Sequence, residues 1–238
     1  RVDEGLDAVA VGREPAANRG KKIEYVLRNP SKLMNLMKIK SARNRLDDMK
    51  SQIASECGAD PAQLRFETFN VEHHIAHTAS AYFTSEWDEA AGFTIDGSGD
   101  FVTCMMSHCK GNDISVLHRI YVPHSLGSLY TMICQFIGYT KYGDEGKVMG
   151  LAPLGKDTYR DVFDQMVILK DDGMELNPRF FVPFGSNQGM AIDDSGEMII
   201  QRHYSDSMVE LFGPPREPYA EITQRDMDMA HSLQQVFE

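Results

Sequence analysis

The chain has 238 residues, of which 42% are hydrophobic and 25% charged, and its formal net charge is −11, from 24 basic and 35 acidic side chains. This is the composition of an ordinary globular protein, and no apolar stretch approaches the ~20 residues that a membrane span needs. A negatively charged surface repels phosphate backbones, which makes broad nucleic-acid binding unfavourable.

Hydrophobic periodicity predicts an alternation of short strands and helices in the first part of the chain. Ser41 is a suitable N-cap for one of these helices, and Gly58 stands where that helix would end. A polar connection separates the first strand from the first helix. In chain order the predicted elements are a strand at 7–12, helices at 30–39 and 41–57, a strand at 64–71 and a helix at 72–85.

Beyond residue 89 the pattern continues with a strand, a hairpin and a series of helices. The hairpin turn, Lys110 to Asp113, is a strong signal. Residues 177–206 contain Pro, Gly and Asp without a clear period, which predicts an irregular insertion or a substrate-facing loop. In chain order the elements are strands at 90–95, 101–109 and 114–122, and helices at 125–137, 146–152, 157–167, 208–212 and 226–238.

Three further features bear on the setting of the protein. A basic stretch from Lys32 to Lys50 runs against the acidic balance, and its simplest interpretation is a solvated helix face. The chain begins with Arg1 rather than Met and its last residues resemble the middle of a helix, so we expect a fragment of a longer protein. Four cysteines without CxxC spacing are predicted to be reduced, mostly buried thiols of a cytoplasmic protein: Cys57, Cys104, Cys109 and Cys134.

The sharpest local feature is the run from Val71 to His77, which contains three histidines. Residues four apart lie on the same face of a helix, so His73 and His77 can direct two imidazoles at one point, the spacing of a helical metal site. His74 is turned away from that face. An isolated HxxxH is more often accidental, and packed histidines are the alternative interpretation.

Two histidines hold a divalent ion weakly, so carboxylates must complete the site. Asp96 is the first candidate because it ends an apolar strand directly after the histidine helix, and Asp100 is the second. Two histidines with one or two aspartates suit Fe(II), Mn(II) or Zn(II).

The run from Asp96 to Asp100 (DGSGD) leads straight into the hairpin. The glycines of such a turn let backbone N–H groups approach phosphate, which makes Gly97, Ser98 and Gly99 candidate nucleotide-binding residues. A plain hairpin turn is the alternative. The chain lacks the GxxxxGK[ST] pattern of a P-loop and shows no nucleophilic triad.

A glycine-rich run from Asp144 to Gly155 surrounds a single lysine, Lys147. It predicts a closely packed helix with a cation available to an anionic ligand. A connection whose lysine is solvated is the alternative.

Four motifs occur together in a distinctive order: VEHHIAHTASAYFTS (71–85), AAGFTIDGSGD (90–100), SLGSLYTMICQFIGY (125–139) and GKVMGLAPLGK (146–156). This succession resembles the nodulation-protein-U and cephamycin-type O-carbamoyltransferases, well over residues 5–156 and loosely beyond. The resemblance implies an α/β chain with an actin-like ATPase/sugar-kinase (ribonuclease H-like) fold, here incomplete and with an irregular insertion. It also implies that a YrdC-like domain, expected downstream, makes carbamoyl-adenylate from carbamoyl phosphate and ATP.

By that pattern the carbamoyl group passes to a hydroxyl of a small-molecule acceptor, and His73, His77 and Asp96 correspond to ligands of a divalent metal, commonly iron. Lys147 is the candidate for a phosphate or leaving-group contact. We expect residues 1–88 to form the first subdomain, without its opening strands, and 89–238 to begin the second, with an insertion at about 157–225. The fragment is expected to be inactive alone. A tRNA threonylcarbamoyl transferase, a sugar kinase and a non-catalytic nucleotide-binding module are the rival hypotheses.

Overall fold

A computed structural model describes residues 7–37, 49–62, 64–186, 190–192 and 198–238 of the protein. Within these ranges the chain is mixed α/β, as predicted. It divides into two compact units, Arg1–Thr94 with Gly99–Arg119 and Ile95–Ser98 with Ile120–Glu238, which are described one at a time. Among the described helices, none combines the length and the apolar character that crossing a bilayer requires.

The chain up to residue 121 contains two groups of paired strands. Strands β1 and β2 pair in parallel with Val9 opposite Thr68, and strands β3, β4 and β5 form a sheet in that order. A 3-10 turn at Pro30–Lys32 leads into helical residues 33–37. The helices and strands are β1 (Ala8–Val11), α1 (Arg19–Arg28), α2 (Met49–Cys57), β2 (Glu67–Asn70), α3 (His73–Tyr82), β3 (Glu89–Gly99), β4 (Val102–Lys110) and β5 (Asp113–Tyr121).

Most of the predicted elements of this region are confirmed within the described residues, with one difference. Gly58 ends α2 at a φ of 65°, as expected, whereas the predicted cap Ser41 lies outside the described residues. Helix α1 occupies the predicted polar connection. Its apolar residues Ile23, Val26 and Leu27 follow helical spacing, but none of its residues is buried.

Helix α3 packs against β4 through one face. Its buried residues are His74, Thr78 and Tyr82, which follow one another at the four-residue spacing of a helix face. The residues from Val102 to Met105 of strand β4 are all buried. The helix therefore has a fixed rotation about its axis, and the face that carries residues 73 and 77 is directed away from this core.

The second unit is held by a larger hydrophobic core. The predicted apolar face of the helix at 125–137 is confirmed, because Leu129, Ile133 and Phe136 are fully buried together with Phe163 and Leu233. The elements are α4 (Leu126–Phe136), α5 (Glu145–Leu151), α6 (Arg160–Met166), β6 (Val167–Lys170), β7 (Gly173–Leu176), β8 (Met190–Ile192), β9 (Met198–Ile200), α7 (Asp206–Phe212) and α8 (Gln224–Phe237).

The C-terminal part is more regular than its sequence predicts. Strands β6 and β7 form an antiparallel hairpin that periodicity did not predict, and β8 and β9 form another within the expected irregular stretch 177–206. These strands are only three or four residues long, too short to establish a period of two. The described sheets have two or three strands each, and the actin-like assignment remains a prediction.

The lowered pKa values of two histidines in the second unit predict how its stability depends on pH. Burial lowers the pKa of His203, and burial is also the main cause that lowers the pKa of His124, with Glu175 raising it and Lys170 lowering it. The Nδ1 atom of His124 accepts a hydrogen bond from the Leu176 backbone N–H at 3.0 Å, which requires a neutral ring.

We expect the free energy of unfolding to fall as the pH drops below about 6.5, the ordinary histidine value, because the unfolded chain then binds more protons than the folded one. Urea denaturation between pH 7 and pH 5 measures this. The variant His124→Asn keeps an acceptor but cannot titrate, so its stability should depend less steeply on pH. An unchanged slope would contradict the assignment.

Candidate metal centre

Two carboxylates accept hydrogen bonds from backbone N–H groups in the first turn of the histidine helix α3. The side chain of its N-cap, Glu72, accepts a hydrogen bond from the Ile75 backbone N–H at 3.0 Å. Asp100 accepts one from the His73 backbone N–H, also at 3.0 Å. The first turn of a helix leaves such N–H groups without helical partners, and its dipole favours negative charge there. Both carboxylates therefore stabilise the turn that carries the first histidine.

His73 and His77 bring their rings together on the face of α3 that lies outside the core. Their Nε2 atoms are 3.0 Å apart and their ring centroids 4.5 Å apart. The Nδ1 atom of His73 lies 3.2 Å from the Gly12 carbonyl oxygen. A proton on Nδ1 donates to that carbonyl and leaves the Nε2 lone pair for a ligand, the arrangement that metal-binding histidines commonly use. At 3.0 Å the two Nε2 atoms are also within hydrogen-bonding distance of each other.

The predicted third ligand, Asp96, belongs to the same group. One ligand atom from each of His73, His77 and Asp96 lies within 4.8 Å of the others. Imidazole nitrogens with a carboxylate oxygen are a donor set that suits Fe(II), Mn(II) and Zn(II). The three side chains therefore fit a divalent ion of the kind expected from the sequence.

Asp100, the second carboxylate candidate, has another role. Its Oδ2 atom accepts the backbone N–H groups of His73 and of Glu14, the latter at 2.7 Å. This carboxylate therefore binds main chain around the candidate centre, and among the described residues it is not part of the three-residue ligand group.

His74 is a structural histidine, in agreement with its predicted rotation away from the other two. The ring is fully buried, with Nδ1 2.7 Å from the Thr94 hydroxyl and Nε2 3.0 Å from the Val102 carbonyl oxygen. Because a carbonyl only accepts, Nε2 carries the proton and Nδ1 accepts from the hydroxyl.

The prediction of a glycine turn directly after residue 95 is wrong: strand β3 continues through Gly99, and the chain turns at Asp100 and Phe101. A Cβ on Gly97 would meet no atom within 4 Å, whereas a Cβ on Gly99 would lie 1.9 Å from the Cδ2 atom of His73. The absence of a side chain at Gly99 therefore leaves the space that the His73 imidazole occupies. Phosphate binding by Gly97, Ser98 and Gly99 remains a prediction.

The backbone at Asp96 is held by residues that the sequence analysis did not single out. The Ser125 hydroxyl lies 3.1 Å from the Asp96 carbonyl oxygen and donates to the Gly97 carbonyl at 2.7 Å. A Cβ on Gly127 would lie 2.7 Å from the Gly97 nitrogen, so this end of α4 approaches the strand as only glycine allows. The sequence signal was the SLGS run, which contains both a cap and a glycine.

Lys147 is paired in the structure. Its ammonium lies 2.6 Å from the Asp144 carboxylate and 5.3 Å from the centre of the Tyr139 ring. The hydrogen bond to Asp144 raises the pKa of Lys147, so the side chain stays cationic. Its predicted contact with a phosphate or leaving group would require the exposed lysine to leave the buried Asp144, and it remains a prediction.

The prediction that most of the cysteines are buried is confirmed. Cys104, Cys109 and Cys134 are buried free thiols and Cys57 is an exposed one. Burial raises the pKa of Cys134 to about 12, which keeps this thiol protonated and poorly nucleophilic.

His77 also borders a pocket of the first unit, with a volume of about 170 Å³. Its other walls include Trp87 and Phe93, two exposed aromatic side chains. One of the two histidines can thus be approached from solvent.

Comparison with known proteins defines the class to which this chain belongs. The family model described as carbamoyltransferase N-terminus matches residues 8–238, nearly the whole chain. The chain therefore belongs to this carbamoyltransferase family, and the resemblance inferred from the four motifs is confirmed.

Individual relatives agree with this assignment. Nodulation protein NolNO of Sinorhizobium fredii is 36% identical over 128 residues, which cover 52% of this chain and 18% of that protein. Nodulation protein NolO of Bradyrhizobium diazoefficiens is 38% identical over 104 residues, 43% of this chain and 19% of that protein. An uncharacterized protein of Synechocystis sp. is 38% identical over 170 residues, covering 70% of this chain and 25% of that protein. The chain thus spans about a quarter or less of the length of these relatives.

Proposed function

We propose that this chain provides the metal-binding part of an O-carbamoyltransferase. In this proposal a carbamoyl group passes from carbamoyl-adenylate, made from carbamoyl phosphate and ATP by a YrdC-like domain, to a hydroxyl of a small-molecule acceptor. Membership of the carbamoyltransferase family supports the reaction class. The observation that carries the assignment to particular residues is the convergence of His73, His77 and Asp96 within 4.8 Å.

The reaction needs little covalent work from the protein. Carbamoyl-adenylate is a mixed anhydride, so the acceptor oxygen can attack the carbamoyl carbon, the bond from that carbon to the phosphate oxygen breaks, and AMP leaves while the hydroxyl proton is released to solvent. The transferase must hold the acceptor near the carbon and stabilise charge that develops on the carbamoyl oxygen. A divalent ion, for which Fe(II) is the first candidate, would supply Lewis-acid polarisation of that oxygen or of the acceptor hydroxyl.

The protein's own residues prepare this site in three ways. The Gly12 carbonyl lies beside Nδ1 of His73, while Nε2 of His73 lies beside Nε2 of His77. His77, being exposed, leaves the site open to substrate. The two carboxylates at the start of α3 fix the turn from which both imidazoles project.

A direct assay tests the proposal. The complete enzyme, with the proposed YrdC-like domain, is incubated with ATP, labelled carbamoyl phosphate and a panel of hydroxylated amino sugars and polyols, and its metal content is measured by mass spectrometry. We expect one divalent ion per chain, and label in an acceptor that depends on both ATP and carbamoyl phosphate. ATP turnover with a sugar in the absence of carbamoyl phosphate would indicate a kinase, and a protein without stoichiometric metal or transfer would fit a non-catalytic module.

A further inference from the structure

Asp100 joins three segments of the first unit around the histidine helix. Its Oδ2 atom accepts the backbone N–H of His73 at 3.0 Å and that of Glu14 at 2.7 Å. Its backbone carbonyl accepts from the Asn18 side chain at 3.1 Å. One residue thus connects the turn after β3, the loop after β1 and the first turn of α3.

The turn itself has an uncommon backbone. Asp100 and Phe101 have φ values of 49° and 79°, in the left-handed region that non-glycine residues rarely adopt. Such conformations persist where the surroundings determine them, and they cluster at functional sites. Here the Asp100 contacts hold one side of the turn, and on the other the Phe101 ring meets the Tyr25 ring edge-on at 5.8 Å.

Two of the contacts that orient His73 come from the segments that Asp100 ties to the helix. The loop after β1 provides the Gly12 carbonyl beside Nδ1, and the turn after β3 provides Gly99, on which the imidazole rests. Without the Asp100 carboxylate, the backbone N–H groups of His73 and Glu14 would lose the acceptor that they share.

We propose that Asp100 is a positioning residue: its carboxylate fixes the start of the histidine helix and so the direction in which the His73 imidazole points. This inference rests on the proposed metal-binding function of that imidazole. A donor held in place loses less freedom when it binds an ion, and groups that orient metal ligands typically change affinity by ~10–100-fold when removed.

Two substitutions separate the carboxylate from the backbone conformation. Asp100→Gly accepts the positive φ and removes the side chain, whereas Asp100→Asn tolerates the same φ and keeps an oxygen that can accept the two N–H groups. Asp113→Asn is the matched control, because Asp113 is an exposed carboxylate of the hairpin turn that accepts a hydrogen bond from Ser115.

The probe is Co²⁺, titrated into metal-free protein and followed by its visible absorption, together with amide hydrogen exchange of the metal-free variants. We expect the Kd of Asp100→Gly to rise ~10–100-fold and the amides of His73 and Glu14 to exchange faster, while Asp100→Asn and Asp113→Asn stay within a few-fold of the parent.

If Asp100→Gly bound Co²⁺ as tightly as the parent protein, the inference would be overturned, since the backbone turn alone would then position His73. An Asp100→Asn variant that binds Co²⁺ as weakly as Asp100→Gly would overturn it too. An oxygen that accepts the two N–H groups would then not be enough to position His73. Failure of the parent protein to bind Co²⁺ would instead refute the proposed metal function, and this inference with it.

Discussion

Replacing His77 with alanine is expected to remove both the bound divalent ion and carbamoyl transfer. His77 supplies one of three converging donors, and the remaining histidine and carboxylate form too small a set to hold the ion. The loss in affinity should exceed the ~10–100-fold that follows when only a supporting group is removed. Metal content after dialysis and ATP-dependent transfer in the complete enzyme are the two measurements.

The fold should survive this substitution, because His77 is exposed and the packed face of α3 consists of His74, Thr78 and Tyr82. His108→Ala is the matched control: it removes another exposed imidazole of the same unit, which pairs with Glu89. We expect the control to retain metal and transfer. Transfer that persists in His77→Ala would refute the assignment of this residue.

Substituting Gly99 with alanine should have the second large effect. The new Cβ would lie 1.9 Å from Cδ2 and 2.5 Å from Cβ of His73, so turning the imidazole alone does not relieve the overlap. The strand and the helix must separate, at a cost of about 1–3 kcal/mol in the free energy of unfolding. The displaced ring should weaken metal affinity at least ~10–100-fold.

Gly97 offers a control in the same strand, because an added Cβ there meets no atom within 4 Å. Gly97→Ala should therefore match the parent in denaturant midpoint and in metal affinity, both measured side by side with Gly99→Ala. Equal metal affinity in the two alanine variants would contradict the role given to Gly99. If Gly97→Ala alone lost ATP-dependent carbamoyl transfer, this result would support the predicted approach of phosphate to this backbone.

The pair of candidate histidine ligands could be predicted from the sequence because its geometry is local. A four-residue spacing within one helix places His73 and His77 on the same face whatever the rest of the chain does. His74 could be excluded on the same ground, and the structure finds it buried between Thr94 and Val102. Asp96 followed from its place in the next strand.

The supports of the site could not be predicted, because each depends on residues that are distant along the chain. Gly12 lies 61 residues from the ring that its carbonyl contacts, and Asp100 lies 86 residues from Glu14. The sequence made Asp100 a candidate ligand, since a carboxylate after a strand looks the same whether it faces an ion or a backbone N–H. Only the folded chain distinguishes these two environments.

Short elements and elements that bury little were also missing from the prediction. Helix α1 has no buried residue, and the strands of the C-terminal hairpins are too short for an apolar period. By itself the sequence determined the family, through four motifs in order, and the pair of imidazoles, through helix geometry. The tertiary structure decided which groups orient that pair, because hydrogen bonds and van der Waals contacts depend on separations in space, which residue order does not encode.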